Sequence, residues 1–590
     1  MTAPKISKAI GILLAIALSA ALVTQPATAE DNPPRKILTG WIPYYSMKTA
    51  LPDALNNADL VKEVMPFWYT LKYDAKIKAA YIVDLYQPAN PSIPIAEPLS
   101  AMRNAGFAII PSITDGTTKL VLAELLKKTT SRTQVVNTIM DLVRTNNFDG
   151  IDLDFEGFAF VDGNATWKST ALSWIALVKE LSAALRAENK VLSVSTPYVL
   201  NPQDAQKGYY LYAWADIAPF IDKLRIMTYD YSVSKPGPIG PITWAERTVQ
   251  YAVSVMPASK VFVGVPGYGR DWVTAVSGIC PANVINTVKA GAKAATFVMR
   301  DAQALAATYG AVPTYNEQYG EMTFFYEKVY NGTTATGLST SCTASRTAWY
   351  QDAKGWALRA ALVNKYRIGG ITAWTFGMEE PLAMESIRQV AREIAPDQVS
   401  IVASSDKSII NYGDAITVDA TFAIKDQTPL AGVSVRIEGI SPGEATWRTL
   451  STVTTGTDGK ISKSIIIGRS TYIRLHSDAT WDRAEGISAQ TLVTVNRLLI
   501  LSAPATAKSV LQIALSGYLL PRTAGAALLI EKKVGKKWIP VNTPLTTDAE
   551  GNFTTLLSAV PRGVLTLRVT AEEDPLWSAV TSPIFNIIIQ

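Results

Sequence analysis

Short apolar segments alternate with longer amphipathic ones from about residue 36 to residue 395. Helical periodicity marks several of the longer segments, for example residues 131–147, 167–190 and 381–394. Alternating strands and helices predict a parallel sheet, and eight such units predict a closed (β/α)₈ TIM barrel of the α/β class. The eight candidate strands are ILTGWIPYY, LVKEVMPFWYTL, GFAIIPSI, FDGIDLDFEG, VLSVSTPYV, KLRIMTYDY, KVFVGVPGYG and GGITAWTF. A doubly wound open sheet is the alternative, but no glycine-rich phosphate-binding turn follows the first strand.

The longest interruption of this pattern lies between the seventh and eighth predicted strands, at about residues 273–345. It is rich in aromatic residues and contains both cysteines of the chain. We predict that this segment forms a small insertion lobe beside the mouth of the barrel.

Helical periodicity ends after residue 395, and short strands with Gly-containing turns replace it. Two stretches, 396–497 and 498–590, resemble each other and predict two immunoglobulin-like β-sandwich domains. Trp447 of the first copy matches Trp538 of the second, and Trp481 matches Trp577. We expect these recurring tryptophans to pack in the sandwich cores, with sugar stacking as the alternative. The sandwiches are interpreted as spacer or cell-surface modules.

The N-terminus is typical of an export signal. Lys5 and Lys8 precede a short apolar run, and Ala27 and Ala29 form an A-x-A cleavage pattern, which predicts a signal peptide at residues 1–29. The run is too short for a comfortable membrane span, so we expect no integral membrane span. The protein is therefore predicted to be secreted and extracellular, with the cell wall as a candidate location. Export favours a disulfide between Cys280 and Cys342 over two free thiols.

The amino-acid composition disfavours several classes of catalysis and of binding partner. With 48% hydrophobic and 18% charged residues the chain is globular. Its formal charge of +5, or +3 after loss of the two signal lysines, does not indicate a nucleic-acid partner. The single histidine, His476, lies far from the predicted barrel and is expected to be an exposed strand residue. Histidine-based catalysis and most zinc chemistry are therefore disfavoured, and we expect carboxylates to act without a cofactor or metal, in a monomer.

The stretch NNFDGIDLDFEGFAF, residues 146–160, places several carboxylates within a predicted buried strand. Alternate residues of a strand share one face, so three acidic residues point one way and three apolar residues the other. The acidic set is Asp152, Asp154 and Glu156, and the apolar set is Ile151, Leu153 and Phe155. In a barrel the acidic set faces the interior, with Glu156 at the C-terminal end where active sites lie. Asp149 has the opposite parity and is interpreted as structural.

Neighbouring carboxylates on one inward face repel each other, and burial adds to this, so at least one pKa is expected to rise. That supplies a carboxylic acid that is still protonated near neutral pH, as glycoside hydrolysis requires. A metal site is one alternative, but large apolar residues separate the acids and the calcium-loop pattern fails. A solvated edge strand is the other, and the parallel-strand context disfavours it.

The segment DGIDLDFEG matches the Asp-Gly-x-Asp-x-Asp-x-Glu signature of glycoside hydrolase family 18, the chitinase-like enzymes. IMTYDY, GVPGYGRDW and GGITAWTFG resemble segments of the same family on strands six, seven and eight. The resemblance covers roughly residues 36–395. It implies a retaining, substrate-assisted cleavage of β-1,4 bonds beside N-acetylglucosamine, in which the substrate's acetamido oxygen replaces an enzyme nucleophile.

The resemblance also implies roles for individual residues. Glu156 is similar to the general acid, and Asp154 to the neighbour that holds the 2-acetamido group and shares the proton of Glu156. Asp152 is similar to the inner carboxylate that tunes Asp154. Tyr229 would hydrogen-bond the acetamido oxygen, and Trp374 would form the floor under the sugar. The other expected substrate-binding residues are Asp230, Met227, Tyr44, Trp68 and Tyr268. For each aromatic residue, core or rim packing is the alternative.

One departure bears on the substrate. Many chitinases have Ser-x-Gly-Gly on strand three, whereas this chain has IIPSITDGTTK, with Ser112 and Gly116 but no Gly-Gly. The segments GWIPYYS, MPFWY and PSITDG are closer to the branch of spore-cortex and cell-wall N-acetylglucosaminidases. The expected partner is therefore a polysaccharide containing N-acetylglucosamine, either chitin or peptidoglycan.

The alternative from another class is a non-catalytic carbohydrate-binding or cell-surface adhesion protein, because TIM barrels also host proteins that only bind. The presence of Glu156 with Asp152, Asp154 and Tyr229 favours an enzyme, since a protein that only binds sugar needs no acid.

Overall fold

The computed structural model describes residues 32–541, 545–558 and 560–590. The predicted signal peptide at 1–29 lies outside these residues. The described chain contains two compact units, Pro33–Pro396 and Asp397–Gln590, and each is treated by itself.

The first unit alternates strands and helices, as the apolar pattern predicts. Its strands are β1 Leu38–Pro43, β2 Val61–Asp74, β3 Ala79–Asp84, β4 Ala108–Ile109, β5 Ser112–Asp115, β6 Gly150–Asp154, β7 Val191–Pro197, β8 Lys223–Met227, β9 Val261–Pro266, β10 Tyr268–Gly278, β11 Ala295–Val298, β12 Thr314–Asn316, β13 Glu321–Thr333, β14 Ser339–Tyr350 and β15 Gly370–Trp374. Its helices are α1 Met47–Asn56, α2 Tyr86–Ala89, α3 Ala96–Asn104, α4 Val121–Lys127, α5 Thr129–Thr145, α6 Gly157–Phe160, α7 Trp167–Ala187, α8 Trp214–Ile217, α9 Ile242–Val255, α10 Ala302–Thr308, α11 Ala353–Tyr366 and α12 Pro381–Glu393.

Eight parallel strands form a closed barrel in this unit. Their order is β1, β2, β5, β6, β7, β8, β9 and β15, and β1 pairs with both β2 and β15, which closes the ring. The third strand is interrupted, because the short β4 pairs with β2 just before β5 does. The predicted TIM barrel is confirmed.

Strand β6 shows how the alternation places side chains. Ile151, Leu153 and Phe155 are completely buried, and the ring of Phe155 lies edge to face with Trp174 of α7 at 6.3 Å. Asp149 precedes the strand and accepts a hydrogen bond from the backbone N–H of Ile109 at 2.8 Å, which fits its structural interpretation.

The insertion lobe is a five-stranded antiparallel sheet in the order β11-β10-β14-β13-β12. It lies between the seventh and eighth barrel strands, β9 and β15, as predicted. Cys280 and Cys342 are joined in a disulfide, which confirms that pairing. The sheet runs from Tyr268 to Tyr350, slightly beyond the predicted limits, because only Gly267 separates the end of β9 from the start of β10.

The second unit contains two β-sandwiches with matching strand orders. The first consists of β16 Ser400–Ser405, β17 Ile409–Asn411, β18 Ala415–Ala423, β19 Ser434–Ile440, β20 Arg448–Thr454, β21 Lys460–Ile466, β22 Thr471–Ser477, β23 Gly486–Ile487 and β24 Thr491–Asn496. The second consists of β25 Leu498–Ser502, β26 Thr506–Ala507, β27 Ile513–Leu520, β28 Ala527–Val534, β29 Lys537–Pro540, β30 Leu545–Thr546, β31 Asn552–Leu557, β32 Gly563–Ala571, β33 Val580–Thr581 and β34 Phe585–Ile589. Sheets β16-β18-β21 and β17-β24-β22-β19-β20 in the first correspond to β25-β27-β31 and β26-β34-β32-β28-β29 in the second. The immunoglobulin-like topology stays a prediction.

The expectation that the matched tryptophans fill the sandwich cores is wrong for two of them. Trp447 lies half-buried under the guanidinium of Arg474 at 4.2 Å, and Trp538 lies under Arg568 at 4.5 Å. These rings cover the outside of a sheet because aliphatic side chains already fill both cores. Trp577 belongs to the second copy but packs against the core of the first.

His476 is also placed differently from the expectation. Its side chain is 12% exposed, and its ring nitrogens contact Glu438 at 3.1 Å and Glu485 at 2.6 Å. The ring is therefore part of a charged cluster on the first sandwich.

Across the described residues, the structure contains no helix with the length and apolar character needed to cross a membrane.

Candidate active site

The C-terminal ends of the barrel strands surround a cavity of about 570 Å³. This is the end of a parallel barrel at which TIM-barrel enzymes place their active sites. The residues that line the cavity are Trp41, Asp154, Glu156, Phe160, Pro197, Tyr198, Tyr209, Met227, Tyr229, Asp230, Val233, Tyr268 and Trp374.

The three inward carboxylates of the acidic strand lie at different depths. Asp154 is the last residue of β6, and Glu156 follows immediately before α6, so both reach the cavity. Asp152 lies one step deeper and is completely buried. The strand therefore presents a graded series of acids from the barrel interior to its mouth.

Asp152 is held by three serine hydroxyls. Ser112 on β5 donates to it at 2.6 Å, and Ser193 and Ser195 on β7 donate at 2.6 and 2.8 Å. The guanidinium of Arg225 lies 3.9 Å away. A buried carboxylate with this many donors is fixed in orientation and satisfied as an acceptor. The sequence interpretation missed Ser193 and Ser195, although their alternation in VLSVSTP is the signal that could have placed both on the inner face.

Asp154 is not surrounded by hydrogen-bond donors in the way that Asp152 is. Burial raises its pKa well above the usual range, and the charges of Glu156 and Asp152 add to the shift. Its Oδ1 atom is buried and finds no hydrogen-bond partner in the described part of the chain. An isolated buried carboxylate oxygen is costly, and protonation relieves that cost.

The pKa of Glu156 is also raised. Burial raises the pKa of its carboxyl to about 7, and the charge of Asp230 contributes. At neutral pH and below, a large share of Glu156 therefore carries a proton at the surface of the cavity. This is the protonation state that a general acid needs.

Tyr229 and Asp230 follow β8, which is separated from β6 by one strand, and both line the cavity. The ring of Tyr229 fits closely against Gly264, where a Cβ atom would lie 2.9 Å from Cε1 of the tyrosine. Asp230 has a φ of 59°, in the left-handed region that is unusual for a non-glycine residue. Its Oδ1 accepts hydrogen bonds from the Tyr268 hydroxyl at 2.6 Å and from Arg270 at 2.6 Å, which hold it at the mouth.

Aromatic rings form one wall of the cavity. Trp374, the last residue of β15, lies edge to face with Trp41 at 5.5 Å and with Phe67 at 5.0 Å. Met227 at the end of β8 also lines the cavity. A rigid aromatic wall of this kind suits the apolar face of a sugar ring.

Two of the expected substrate-binding residues are placed elsewhere. Trp68 has 0% exposure and packs on Tyr86 at 4.4 Å, so the prediction that it contacts substrate is wrong. The neighbouring Phe67 points toward Trp374 instead, because successive strand residues face opposite sides. Tyr44 follows β1 at the same end of the barrel and packs edge to face with Tyr45, and among the described residues it is not part of the cavity wall.

The structure adds aromatic residues that sequence reasoning missed. Phe160 lies on α6, and Tyr198 and Tyr209 lie in the connection after β7, and all three line the cavity. Tyr209 contacts Phe160 at 5.1 Å and Tyr198 at 5.5 Å. Phe160 ends a helix of a single turn, and Tyr198 and Tyr209 lie in an irregular connection, so no periodicity indicates which of these side chains turn toward the site.

The insertion lobe anchors one loop of the cavity. Buried Glu321 of β13 accepts hydrogen bonds from the backbone N–H groups of Ile239 at 2.6 Å and Gly240 at 2.7 Å. The indole N–H of Trp272 donates to the carbonyl of Val233 at 3.0 Å. The loop that carries Val233 to the cavity is thus attached to the lobe at two points.

The chemistry available here is proton transfer at a carboxylic acid beside a second buried carboxyl and a tyrosine. Within residues 32–541, 545–558 and 560–590, no group of three or more His, Cys, Asp and Glu side chains is arranged to hold a metal ion.

The barrel segment of this chain is similar to known proteins. The family model for glycosyl hydrolases family 18 matches residues 84–379. The sporulation-specific glycosylase YdhD of Bacillus subtilis is 26% identical in sequence, and the match covers 54% of this chain and 69% of YdhD. The cortical fragment-lytic enzyme of Bacillus subtilis is 24% identical, and the match covers 44% of this chain and 53% of that enzyme. A solved chitinase structure from Chromobacterium violaceum covers 60% of this chain and 98% of its own, with 23% identity and a TM-score of 0.47.

Proposed function

This chain belongs to glycosyl hydrolase family 18, and we propose that it cleaves β-1,4 glycosidic bonds beside N-acetylglucosamine with retention of configuration. The observation that carries the proposal is the position of Glu156, a carboxyl with a pKa raised to about 7, on the wall of the barrel cavity beside Asp154.

In the proposed reaction, Glu156 donates its proton to the glycosidic oxygen as the bond to the anomeric carbon breaks. The donor must be protonated before this step and must regain a proton afterwards. A pKa of about 7 allows both at neutral pH. We therefore expect activity to fall as the pH rises through about 7, when Glu156 loses its proton.

The substrate supplies the nucleophile in this proposal. The carbonyl oxygen of the 2-acetamido group attacks the anomeric carbon and forms a cyclic intermediate, which water then opens with net retention. Asp154 would hold the acetamido N–H with its unpartnered Oδ1, and the Tyr229 hydroxyl would donate to the acetamido oxygen. No second carboxylate nucleophile is needed.

Asp152 and the aromatic wall support these groups. The charge of Asp152 raises the pKa of Asp154, and the three serines keep Asp152 in place. Trp374 would pack under the reacting sugar, flanked by Trp41 and Phe67.

The proposed substrate is chitin, its oligosaccharides or the glycan of peptidoglycan, since all contain the acetamido group. Peptidoglycan is supported by a matched relative named as a cortical fragment-lytic enzyme and by the absence of Gly-Gly after Ser112 in the sequence. We further propose that the protein is secreted, on the basis of its N-terminal sequence.

The test is Glu156→Gln, which keeps the shape of the side chain but cannot donate the acid's proton. We expect kcat/KM to fall by about 10³-fold or more, while binding of chitin oligosaccharides, followed by tryptophan fluorescence, is retained. Wild type and variant are incubated with chitin oligosaccharides and with peptidoglycan, and the products are identified by mass.

Glu124→Gln is the matched control, because Glu124 is an exposed carboxylate on α4 and should leave turnover unchanged. Near-normal turnover by Glu156→Gln would refute the assignment of the acid. If the wild type bound these glycans but hydrolysed none of them, the protein would instead be a carbohydrate-binding protein.

A further inference from the structure

A second pair of carboxyl groups lies behind the active-site wall. The carboxyl groups of Asp53 of α1 and Glu379, in the loop after β15, lie within hydrogen-bonding reach of each other. Glu379 is 8% exposed. Two carboxyl groups can form such a hydrogen bond only when one of them carries a proton, because an ionised carboxylate is an acceptor only.

Each carboxyl of the pair also accepts a hydrogen bond from a backbone N–H group of the loop. Gly377 donates its N–H to Oδ2 of Asp53 at 3.2 Å, and Met378 donates its N–H to Oε2 of Glu379 at 3.1 Å. Gly377 has a φ of 76°, and a Cβ atom there would lie 2.7 Å from the carbonyl carbon of Thr49. The loop is therefore packed directly on the backbone of α1, and only glycine permits this approach.

The pKa values of both carboxyls are raised despite the charged groups around the pair. Burial raises the pKa of Asp53, although the charge of Arg300, two residues before α10, opposes the shift. Burial and the charge of Asp53 raise the pKa of Glu379 to about 8. The adjacent Glu380 is turned away and accepts a hydrogen bond from the backbone N–H of Ala353.

The loop held by this pair begins at Trp374. The carbonyl of Trp374 accepts a hydrogen bond from Gly267 at 2.8 Å, and the N–H of Phe376 donates to the carbonyl of Trp41 at 3.3 Å. Trp374 and Trp41 both line the cavity. The contact between Gly377 and Asp53 of α1 therefore lies three residues along the chain from Trp374.

We propose that Asp53 and Glu379 share one proton, and that the protonated pair holds the loop after β15 against α1 and so positions Trp374 in the cavity. Asp53 and Glu379 are positioning residues, since neither lines the cavity in the described chain. The part of this proposal that concerns substrate rests on the proposed function, whereas the shared proton does not.

The expected pH dependence follows from the direction of the shift. The folded protein binds the proton of Glu379 more tightly than the unfolded chain, whose carboxyl has a pKa near 4.5. The resulting stabilisation is complete below about pH 4.5 and is lost as the pH rises through about 8. Ionisation of both carboxyls then leaves two like charges in contact.

The first experiment measures Tm from about pH 5 to pH 9 for wild type, Glu379→Gln and the control Glu393→Gln. The glutamine can still donate an N–H to Asp53 but does not titrate, so the decrease in Tm with rising pH should become smaller. Glu393 is exposed at the end of α12, and its variant should follow the wild type. An unchanged pH dependence in Glu379→Gln would overturn the shared proton.

The second experiment tests the link to Trp374 with Glu379→Ala, which removes the hydrogen bond as well as the charge. We expect weaker binding of chitin oligosaccharides and a several-fold higher KM, with kcat changed less, and recovery in Glu379→Gln. If Glu379→Ala is folded at pH 6 and binds as the wild type does, the positioning role is overturned. Oligosaccharide binding and Tm remain measurable even if the wild type hydrolyses nothing, so a failure of the proposed function is distinguishable.

Discussion

The interior of the barrel contains buried carboxylates at both ends, and their environments are opposite. At the N-terminal end, Glu63 of β2 forms ion pairs with Lys223 and Arg225, each at 2.7 Å. At the C-terminal end, Asp154 and Glu156 lie together at the cavity, and in the described chain no cation opposes their pKa shifts.

As a consequence, the pKa values of the carboxyls at the two ends shift in opposite directions. Burial by itself raises the pKa of Glu63, but the charges of Arg225, Lys223 and Lys62 outweigh it and lower the pKa to about 2. Burial raises the pKa of Glu156 to about 7, and Asp230 adds to the shift. Burial alone therefore does not decide the protonation state of a carboxyl in this barrel. The presence of a cation decides it, so one end is a charged structural network and the other is an acid.

The largest expected effect comes from breaking the N-terminal network with Arg225→Met. This arginine is completely buried and also donates to Thr39 at 2.9 Å and Ser193 at 3.0 Å. Removing one partner leaves a buried carboxylate only partly compensated, so we expect a loss of about 3–5 kcal/mol in the free energy of unfolding. Urea denaturation measures it.

Arg247→Met is the control for that change. Arg247 pairs with Asp204 on the surface, where its side chain is half exposed, and its loss should cost less than about 1 kcal/mol. Equal effects of the two variants would contradict the view that the buried network stabilises the barrel.

Glu63→Gln tests the lowered pKa of the same network. The folded-state pKa of about 2 lies below the ordinary value of 4.5, so the pairing contributes stability above about pH 4.5 and loses it as the pH falls through about 2. This contribution is about 3 kcal/mol by linkage. The variant should be less stable than the wild type at pH 7, and the difference should shrink toward pH 2. A difference that stays constant over this range would show that Glu63 is not paired as described.

Asp154→Asn changes the C-terminal end, with an effect of about 10²-fold on kcat/KM. The acid limb of the pH profile should shift, because this limb belongs to the coupled pair and the variant retains only Glu156. The fall in activity above about pH 7 should remain, because Asp230 and burial still act on Glu156. Initial rates across the pH range provide the measurement, and a profile identical to that of the wild type would refute the coupling.

Much of the site could be predicted from one short segment of the chain. The alternation in GIDLDFE separates Ile151, Leu153 and Phe155 from the acids, and a strand allows only two faces. The structure places the members of each set as that rule requires. Trp68 shows the limit of a prediction from position alone, because nearness to a strand end does not say to which side a residue points.

Three features could be predicted from the amino-acid sequence alone: the order of strands and helices, the insertion between strands seven and eight, and the inward position of Asp152, Asp154 and Glu156. These features depend on the periodicity of apolar and polar residues, which involves only residues close together in sequence. The folded chain, in contrast, reveals which groups meet: the serines of β5 and β7 around Asp152, the cations that neutralise Glu63, and the contact between Asp53 and Glu379. These contacts join residues far apart in sequence, and they decide where a proton is held because a pKa depends on the charges and donors that surround a group in space.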